Sequence, residues 1–402
     1  MCALKLLLFN LGLSNIGDWI YLISLNLIVL DMTGSPFAVA VLYILKPLAA
    51  LLTNLWSGSL IDRLNQRQLL MMLDLFRGAL IIILPFVSSS LILMYSLVLF
   101  VNMASAVFKP TSMVYMTKIF PEEGRIRFNA LRSLVDSGGF LIGPGIAGVL
   151  FWIGSPWIAI YTNGFTFLLS AFLTMLLPKV SNPEEKWGGF SIEEIRGDWQ
   201  VVSQFSRKHI LTMVLYSLFS LLIVLTAAVD SLEAAFSKEM LGLTNTEYGF
   251  LVSIAGGGIM LGALIQTWIN RALTIRGLIG FGSLFLSIGY LIYASSSGFI
   301  SGAVGVFLLS FSLAFANTGF FTFYQHYIPT DIMGRVGSVY DWLESFFVIG
   351  SVIGLGLIAQ FGSIRAAVLV GVITMLILSL GLYRLSKKID TISDSLQHQE
   401  LA

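Results

Sequence analysis

The chain has 402 residues and a formal net charge of +1, and only 11% of its residues are charged whereas 56% are hydrophobic. Soluble domains carry roughly 25% charged residues, so this composition excludes a soluble globule and indicates a membrane-embedded protein. The balanced charge provides no basic surface for nucleic acid, and the single cysteine, Cys2, excludes an internal disulfide or a cysteine-based metal cluster.

The apolar residues are arranged in runs long enough to cross a bilayer. About 20 apolar residues suffice for a spanning helix, and such runs must be helical because lipid offers the backbone no hydrogen-bond partners. Twelve spans are expected, near residues 6–30, 37–61, 69–88, 91–117, 129–153, 157–177, 210–232, 247–269, 277–296, 298–324, 337–361 and 364–386. The predicted fold is therefore all-α, with twelve transmembrane helices in two pseudo-symmetric six-helix bundles.

The longest interruption separates six spans from six. We predict an N-terminal bundle over 1–178, a connector along the membrane over 179–209, a C-terminal bundle over 210–386 and a tail over 387–402. The two halves repeat weakly, because Phe120-Pro121 with Gly124-Arg125 recurs as Ile328-Pro329 with Gly334-Arg335. Two parallel halves with a site between them form a transporter architecture.

The distribution of basic residues predicts the orientation. Of the 23 lysines and arginines, only Lys238 and Arg365 fall in loops on the side opposite the termini. Basic residues stay on the cytoplasmic side of a membrane. We therefore expect a multi-pass protein of the cell membrane with both termini in the cytoplasm.

Asp18, Lys46 and Lys109 lie well inside apolar runs. A charge at the bilayer centre costs roughly 2.5–3.5 kcal/mol, so these side chains are expected to face a water-filled cavity or one another. Asp18 and Lys46 lie at similar depth. Our hypothesis is that Asp18 carries the coupling proton, that Lys46 is its counter-ion and that Lys109 lies on the facing wall. A static ion pair between the first two spans is the alternative.

A short polar loop joins the second and third spans. Its residues Gly58, Asp62, Arg63 and Arg67 form the pattern Gly-x-x-x-Asp-Arg-x-x-x-Arg, which resembles the loop signature of the major facilitator superfamily. The resemblance implies a latch for the outward-open state. Asp62 would rest on the N-terminal end of span 11, and the two arginines would pair with neighbouring acids. Alternatively, the arginines only anchor the topology.

A second motif, in span 5, comprises Gly139, Gly143, Pro144 and Gly148. It is similar to the Gly-Pro motif of antiporters in this superfamily, but has Ala147 where glycine is usual. The wider pattern resembles the branch of macrolide-efflux and enterobactin-exporter proteins, in the segments Gly17-Asp18-Trp19, Asp74-Leu-Phe-Arg77, Phe120-Pro121-Glu122 and Asn129-Ala130. This resemblance implies export.

Three further pairs of charged residues have helical spacing. Asp74 with Arg77 and Arg132 with Asp136 share a helix face, and we expect them to support the latch rather than to contact a ligand. Asp341 and Glu344 are a second candidate proton site. We prefer the simpler interpretation that they are acids in the first turn of a helix. An apolar cavity wall for a lipophilic substrate is one interpretation of the aromatic residues Trp19, Tyr43, Phe108, Phe315 and Trp342. Helix packing is the commoner role of such residues, and we prefer it for each of them.

These features favour a secondary active transporter that exports amphipathic small molecules, such as macrolide-like compounds, by proton-coupled alternating access. Export or flipping of a specific metabolite, such as a siderophore or lysolipid, is the alternative, and an integral-membrane enzyme is a remote one. Without a phosphate-binding loop, the energy source is expected to be an ion gradient. We expect a monomer in the lipid bilayer, with no cofactor, no metal and no nucleic-acid partner.

Overall fold

A computed structural model describes residues 2–119, 122–178, 192–269 and 274–388 of the chain. Within these ranges the secondary structure is helical and contains no strand. Twelve of the helices are long and apolar enough to cross a membrane. The expected all-α fold with twelve transmembrane helices is confirmed.

The helices are numbered here in chain order. They are α1 (Cys2–Thr33), α2 (Pro36–Arg63), α3 (Gln66–Ile83), α4 (Leu91–Ile119), α5 (Glu122–Ile153), α6 (Pro156–Met175), α7 (Ile192–Lys208), α8 (Ile210–Asp230), α9 (Glu233–Ala235), α10 (Asn245–Ile269), α11 (Ile275–Ala294), α12 (Phe299–Tyr327), α13 (Thr330–Phe361) and α14 (Ile364–Ser386). A 3₁₀ turn (Leu84–Val87) follows α3, and a π turn (Phe236–Met240) follows α9. The twelve membrane-length helices are all of these except α7 and α9.

Side-chain caps fix where several helices begin. The side chain of Asn65 accepts hydrogen bonds from the amides of Arg67 and Gln68 at 3.1 and 3.3 Å, which starts α3. The hydroxyls of Ser35 and Ser363 cap α2 and α14 in the same way. Such caps satisfy amide groups that have no partner within the helix, so short polar loops suffice between long apolar helices.

Two helices begin earlier than their apolar runs. α5 starts at Glu122, although its membrane-length segment covers only Val135–Ile153. α13 starts at Thr330 rather than near residue 337. Hydropathy detects the part of a helix that lies in lipid, whereas the helical backbone continues into the polar segment before it.

The chain divides into two compact units. Unit 1 comprises Met1–Gly189 and Leu243–Gly256, and unit 2 comprises Phe190–Gly242 and Gly257–Ala402. In unit 1, α1 packs against α5 and α6, while α3 packs against α4 and α6. In unit 2, α11 packs against α12 and α14, and α8 packs against α13 and α14. The domain boundaries expected from the sequence remain a prediction.

The connector contains the helix α7, which packs against α13 of unit 2. The indole rings of Trp199 and Trp342 meet edge to face, with their centroids 5.6 Å apart. Val202 of α7 is buried. The amphipathic connector therefore covers part of its own unit.

Candidate functional site

Asp18 lies near the middle of α1, and its side chain is exposed. The charges that act on its carboxyl belong, in decreasing order of effect, to Arg77, Asp74 and Lys46. No ion pair of 4.0 Å or less joins Asp18 to Lys46 or Lys109, whose side chains the structure describes. The structure thus brings Asp18 under the influence of a pair on α3 as well as Lys46.

Lys46 on α2 and Lys109 on α4 are both exposed. A proline follows each lysine inside its helix, Pro47 in α2 and Pro110 in α4. An internal proline removes one backbone hydrogen bond and bends the helix. Each lysine therefore lies next to a proline that removes one backbone hydrogen bond from its helix.

Asp74 and Arg77 form an ion pair inside unit 1, where their side chains are 0% and 2% exposed. The Ser170 hydroxyl of α6 donates a hydrogen bond of 2.5 Å to Asp74, and Arg77 donates to the Ser105 hydroxyl of α4 at 3.3 Å. A buried charge pair is stable only with such additional hydrogen bonds. The pair therefore ties α3 to α4 and α6.

The guanidinium of Arg77 also lies between two aromatic rings. Its central carbon is 4.2 Å from the ring centroid of Phe108 on α4 and 4.2 Å from that of Phe167 on α6. A planar guanidinium stacks on aromatic faces better than an ammonium does. This packing gives Arg77 a structural role in addition to its charge.

Arg132 and Asp136 lie on one face of α5, with Arg132 Nε 3.8 Å from a carboxylate oxygen of Asp136. The side-chain amide of Asn15 on α1 donates to the other oxygen at 3.1 Å. The expected pairing of these residues therefore occurs, and it links α5 to α1.

The Gly-Pro motif of α5 lies against α1 on one side. A Cβ atom at Gly143 would lie 2.6 Å from the Cβ of Trp19 and 3.1 Å from the carbonyl oxygen of Ile16. One at Gly139 would lie 2.0 Å from the Asn15 side chain. Only glycine permits this close approach of two helices.

The motif lies against the first part of α10 on its other side, also within unit 1. A Cβ at Gly148 would lie 2.9 Å from the carbonyl oxygen of Thr246, and one at Gly249 would lie 2.8 Å from that of Pro144. The Gly-Pro motif is thus a packing surface on two sides of one helix.

The loop motif is described only in part. The surroundings of Gly58 and the side chains of Asp62 and Arg63 lie outside what the structure describes. Arg67 donates to the carbonyl oxygens of Met175 and Leu177 at 3.2 and 2.8 Å. Among the described residues, Arg67 therefore contacts carbonyls at the end of α6, which a cation stabilises, and its expected pairing with neighbouring acids stays a prediction.

Unit 2 contains a cavity of about 340 Å³ between three of its helices. Ligand pockets have volumes of roughly 300–1,000 Å³. The cavity is lined by Tyr216, Phe219, Ser220 and Ile223 of α8, by Asn317, Phe320, Phe321 and Tyr324 of α12, and by Gly337, Asp341 and Glu344 of α13. It thus has the size and the largely apolar wall of a ligand site.

The depth of the cavity follows from the three helices. The lining residues Tyr216 and Ile223 lie about 9 and 20 Å from the start of α8, at about 1.5 Å per residue. Asn317 lies about 15 Å from the end of α12, and Glu344 about 21 Å from the start of α13. The deepest part of the cavity therefore lies near the middle of the membrane-length helices.

Asp341 and Glu344 both line this cavity. Our preferred interpretation from the sequence was wrong in one respect, because α13 begins at Thr330 and these acids lie about three and four turns into it. Glu344 interacts with the hydroxyl of Ser220 and with the charge of Asp341. The pair is a feature of the cavity wall rather than of a helix end.

None of the five aromatic residues that the sequence offered as candidates for a cavity wall lines this cavity. Trp19 packs on Phe140 with ring centroids 4.1 Å apart, and Phe108 covers Arg77. The hydroxyl of Tyr43 accepts a hydrogen bond from Asn26, while Phe315 packs on its own helix. These rings contribute to helix packing.

The cavity instead uses Tyr216 and Phe219 of α8 and Phe320 and Tyr324 of α12. The rings of Phe219 and Phe320 stack with centroids 4.2 Å apart, and that of Tyr216 lies 5.1 Å from that of Phe320. The sequence does show that Tyr216 and Phe219 (i, i+3) share a helix face, as do Phe320 and Tyr324 (i, i+4). The spacing does not indicate which neighbouring helix each face contacts.

A second acidic cluster at the end of α8 was not predicted. Tyr290 of α11 donates a hydrogen bond of 2.7 Å to Asp230, and Glu233 follows in α9. The hydroxyls of Tyr293 and Ser237 lie 3.0 Å apart beside them. The sequence pattern that could have indicated this cluster is the i, i+3 spacing of Asp230 and Glu233 directly after an apolar run.

Comparison with known families gives one match over most of the chain. The family model described as Major Facilitator Superfamily matches residues 7–347. A curated relative, the uncharacterized MFS-type transporter YfiS of Bacillus subtilis (strain 168), is 25% identical over 390 residues, which cover 92% of this chain and 89% of the relative.

Solved structures share the fold. The nucleoside transporter NupG superimposes with a TM-score of 0.77 at 13% identity, covering 96% of this chain and 99% of that one. A bacterial homologue of the lysosomal transporter Spinster gives 0.73 at 14% identity, with 97% of each chain covered. A bacterial homologue of the iron transporter ferroportin gives 0.72 at 17% identity, covering 96% of this chain and 98% of that one. Transporters with different cargoes thus share this architecture.

Proposed function

Because this chain belongs to the major facilitator superfamily, we propose that it is a secondary active transporter that exports amphipathic small molecules in exchange for protons. The cavity of about 340 Å³ in unit 2 is the observation that carries this proposal. It combines a mostly apolar, aromatic wall with a few polar groups at mid-membrane depth. Amphipathic molecules need such surroundings, because their apolar part leaves water while their polar part keeps a partner.

Proton coupling requires an ionisable group that water can reach inside the membrane. Asp18 is our candidate for this group, since its side chain is not covered by neighbouring protein and lies under the influence of the Asp74–Arg77 pair and of Lys46. A change in the charge of Asp18 would alter its interaction with Arg77, which holds three helices of unit 1 together. We propose that Asp18 carries the coupling proton and that this interaction transmits its charge state.

Export is supported by the Gly-Pro motif and by the resemblance to macrolide-efflux and enterobactin-exporter proteins. The distribution of lysine and arginine supports a location in the cell membrane with both termini in the cytoplasm. In this orientation the cavity lies toward the cytoplasmic ends of α8, α12 and α13. An exporter takes up its substrate from that side.

A specific metabolite is the second candidate substrate. The exposed ammonium groups of Lys46 and Lys109 in unit 1 favour it, because they suit an anionic group such as a phosphate or a carboxylate. Under this alternative, unit 1 would bind an anionic substrate, whereas under the first proposal the cavity of unit 2 binds an amphipathic one. Enzymatic activity remains a remote alternative without a specific observation in its favour.

Transport into sealed vesicles tests the proposal. The purified protein is reconstituted into liposomes, a pH gradient is imposed, and the uptake of a panel containing macrolides, carboxylates and catecholates is measured. We expect an amphipathic compound to accumulate against its gradient, and a protonophore to abolish this accumulation. Failure of the whole panel to move, or equilibration independent of the pH gradient, would contradict the proposal.

A further inference from the structure

The cavity of unit 2 has an acidic character that the proposed function does not require. Two of its described lining residues, Asp341 and Glu344, are acids, and no described lining residue is a lysine, arginine or histidine. The acids are separated by one helical turn, so both point toward the same side of α13. Among its described residues, the wall therefore carries acidic side chains and no cationic one.

The aromatic rings of the cavity favour the same sign of charge in a ligand. The faces of the Phe320, Phe321 and Tyr324 rings, which line the cavity, carry partial negative charge, which attracts a cation placed over them. Ser220 and Asn317 add two neutral polar groups to the wall. An anion in this cavity would meet the Glu344 carboxylate and several ring faces, all of which repel it.

The composition of the wall selects an organic cation rather than a metal ion. Divalent metal ions require several oxygen, nitrogen or sulfur ligands at short distance. Among the described residues no group of three or more histidine, cysteine, aspartate or glutamate side chains is placed to hold a metal. Five of the other nine described lining residues are aromatic, and their rings suit a flat or apolar group attached to the charge.

We propose that the cavity of unit 2 binds an organic cation that carries an aromatic or similarly apolar group, with Glu344 as its main counter-charge. This inference rests on the proposed transport function, for which it names the class of substrate. The cation would lie between the Glu344 carboxylate and the rings of Phe320 and Tyr324. Asp341, nearer to the end of the helix, would add to the negative potential at the cavity.

Direct binding to the purified protein in detergent tests the inference. Two probes of similar shape are compared, the permanent cation tetraphenylphosphonium and the neutral compound triphenylphosphine oxide. We expect the cation to bind at least tenfold more tightly. Equal affinity, or tighter binding of the neutral compound, would overturn the inference, and this comparison needs no variant of the protein.

Variants of single acidic residues then test which carboxylate attracts the cation. In Glu344→Gln we expect the affinity for tetraphenylphosphonium to fall about tenfold, which corresponds to about 1.4 kcal/mol, while the affinity for the oxide stays the same. Asp341→Asn should have a smaller effect in the same direction. Glu239→Gln, an exposed acid away from the cavity, is the matched control. An equal loss for both probes in Glu344→Gln would indicate damaged packing and would contradict the assigned role.

The vesicle assay separates this inference from the proposed function. If neutral amphipathic compounds are transported and the cation neither binds nor moves, the function stands and the inference falls. If the cation binds as described but no compound is transported under any gradient, the inference about the cavity stands and the proposed function falls.

Discussion

The hydroxyl of Tyr290 donates a hydrogen bond of 2.7 Å to Asp230 at the end of α8. Glu233 follows within one turn, and the negative charge of Asp230 acts on its carboxyl. This cluster lies about 10 Å further along α8 than Ile223 of the cavity. Unit 2 therefore holds two acidic clusters at different depths, and each can be tested separately.

Substitution of Glu233 should change how stability depends on pH. Burial, and secondly the charge of Asp230, raises the pKa of Glu233 from 4.5 to about 8. A carboxyl whose pKa is raised by folding stabilises the fold while protonated, and this stabilisation is lost as the pH rises through about 8. We expect Glu233→Gln to match the wild-type melting temperature at pH 5 and to exceed it by several degrees at pH 9.

Thermal unfolding in detergent between pH 5 and pH 9 measures this difference. Glu239→Gln, at an exposed position six residues after Glu233, serves as the control and should keep most of the wild-type pH dependence. A Glu233→Gln protein that loses stability with pH as steeply as the wild type would show that this carboxyl does not bind its proton as described.

Removal of Arg77 should destabilise unit 1 strongly. Arg77→Ala leaves the Asp74 carboxylate buried without its partner, and breaking a buried pair in this way costs about 3–5 kcal/mol. Arg77→Lys keeps the charge but loses the stacking between Phe108 and Phe167, so it should have an intermediate effect. The fraction of folded, monodisperse protein and its melting temperature measure the series.

A double variant distinguishes packing from charge. Asp74→Asn combined with Arg77→Gln removes both charges, so it should recover much of the stability lost in Arg77→Ala. If Arg77→Ala alone is as stable as the wild type, the buried pair does not hold α3 to α4 and α6.

Two glycines of α5, one that contacts α1 and one that does not, test the helix packing. A Cβ at Gly143 would lie 2.6 Å from Trp19 and 3.1 Å from a carbonyl of α1, whereas one at Gly138 would meet nothing within 4 Å. Overpacking costs about 1–3 kcal/mol, so Gly143→Ala should lower the melting temperature. Gly138→Ala should leave it unchanged or raise it, because alanine favours a helix. Equal effects at both positions would contradict the described contact.

The fold was predictable because long apolar runs allow one structure in lipid. The exact helix ends were not, since they depend on caps such as Asn65 and on polar segments that remain helical, as before Val135. The early start of α13 at Thr330 affects the candidate site. It places Asp341 and Glu344 on the wall of a cavity instead of in the first turn of the helix.

The site was predictable only in part, because depth along a helix does not give direction around it. Depth placed Asp18 level with Lys46, whereas the structure shows a stronger influence from Arg77 on a third helix. An aromatic residue that packs on a neighbouring helix has the same sequence pattern as one that lines a cavity. Trp19 packs against Phe140, whereas the helices around Phe320 leave a cavity beside its ring.

Replacement of Asp18 tests the proposed proton site. Asp18→Asn removes the charge with almost no change in shape, so we expect transport driven by a pH gradient to fall by at least tenfold while downhill exchange of substrate continues. Asp31→Asn, at an exposed position near the end of the same helix, is the control. Proton-driven export at the wild-type rate in a folded Asp18→Asn protein would eliminate the role of this residue.

The most direct test of the account measures access to the cavity of unit 2 from each side of the membrane. The chain has one cysteine, so Ile223→Cys combined with Cys2→Ser places a single thiol on the cavity wall. A membrane-impermeant maleimide is applied to sealed vesicles of known orientation, from the inside or from the outside. Alternating access predicts labelling from either side, with the balance shifted by the pH gradient and by substrate. Labelling from both sides at fixed rates, whatever the gradient and the substrate, would reveal a static pore and contradict the account.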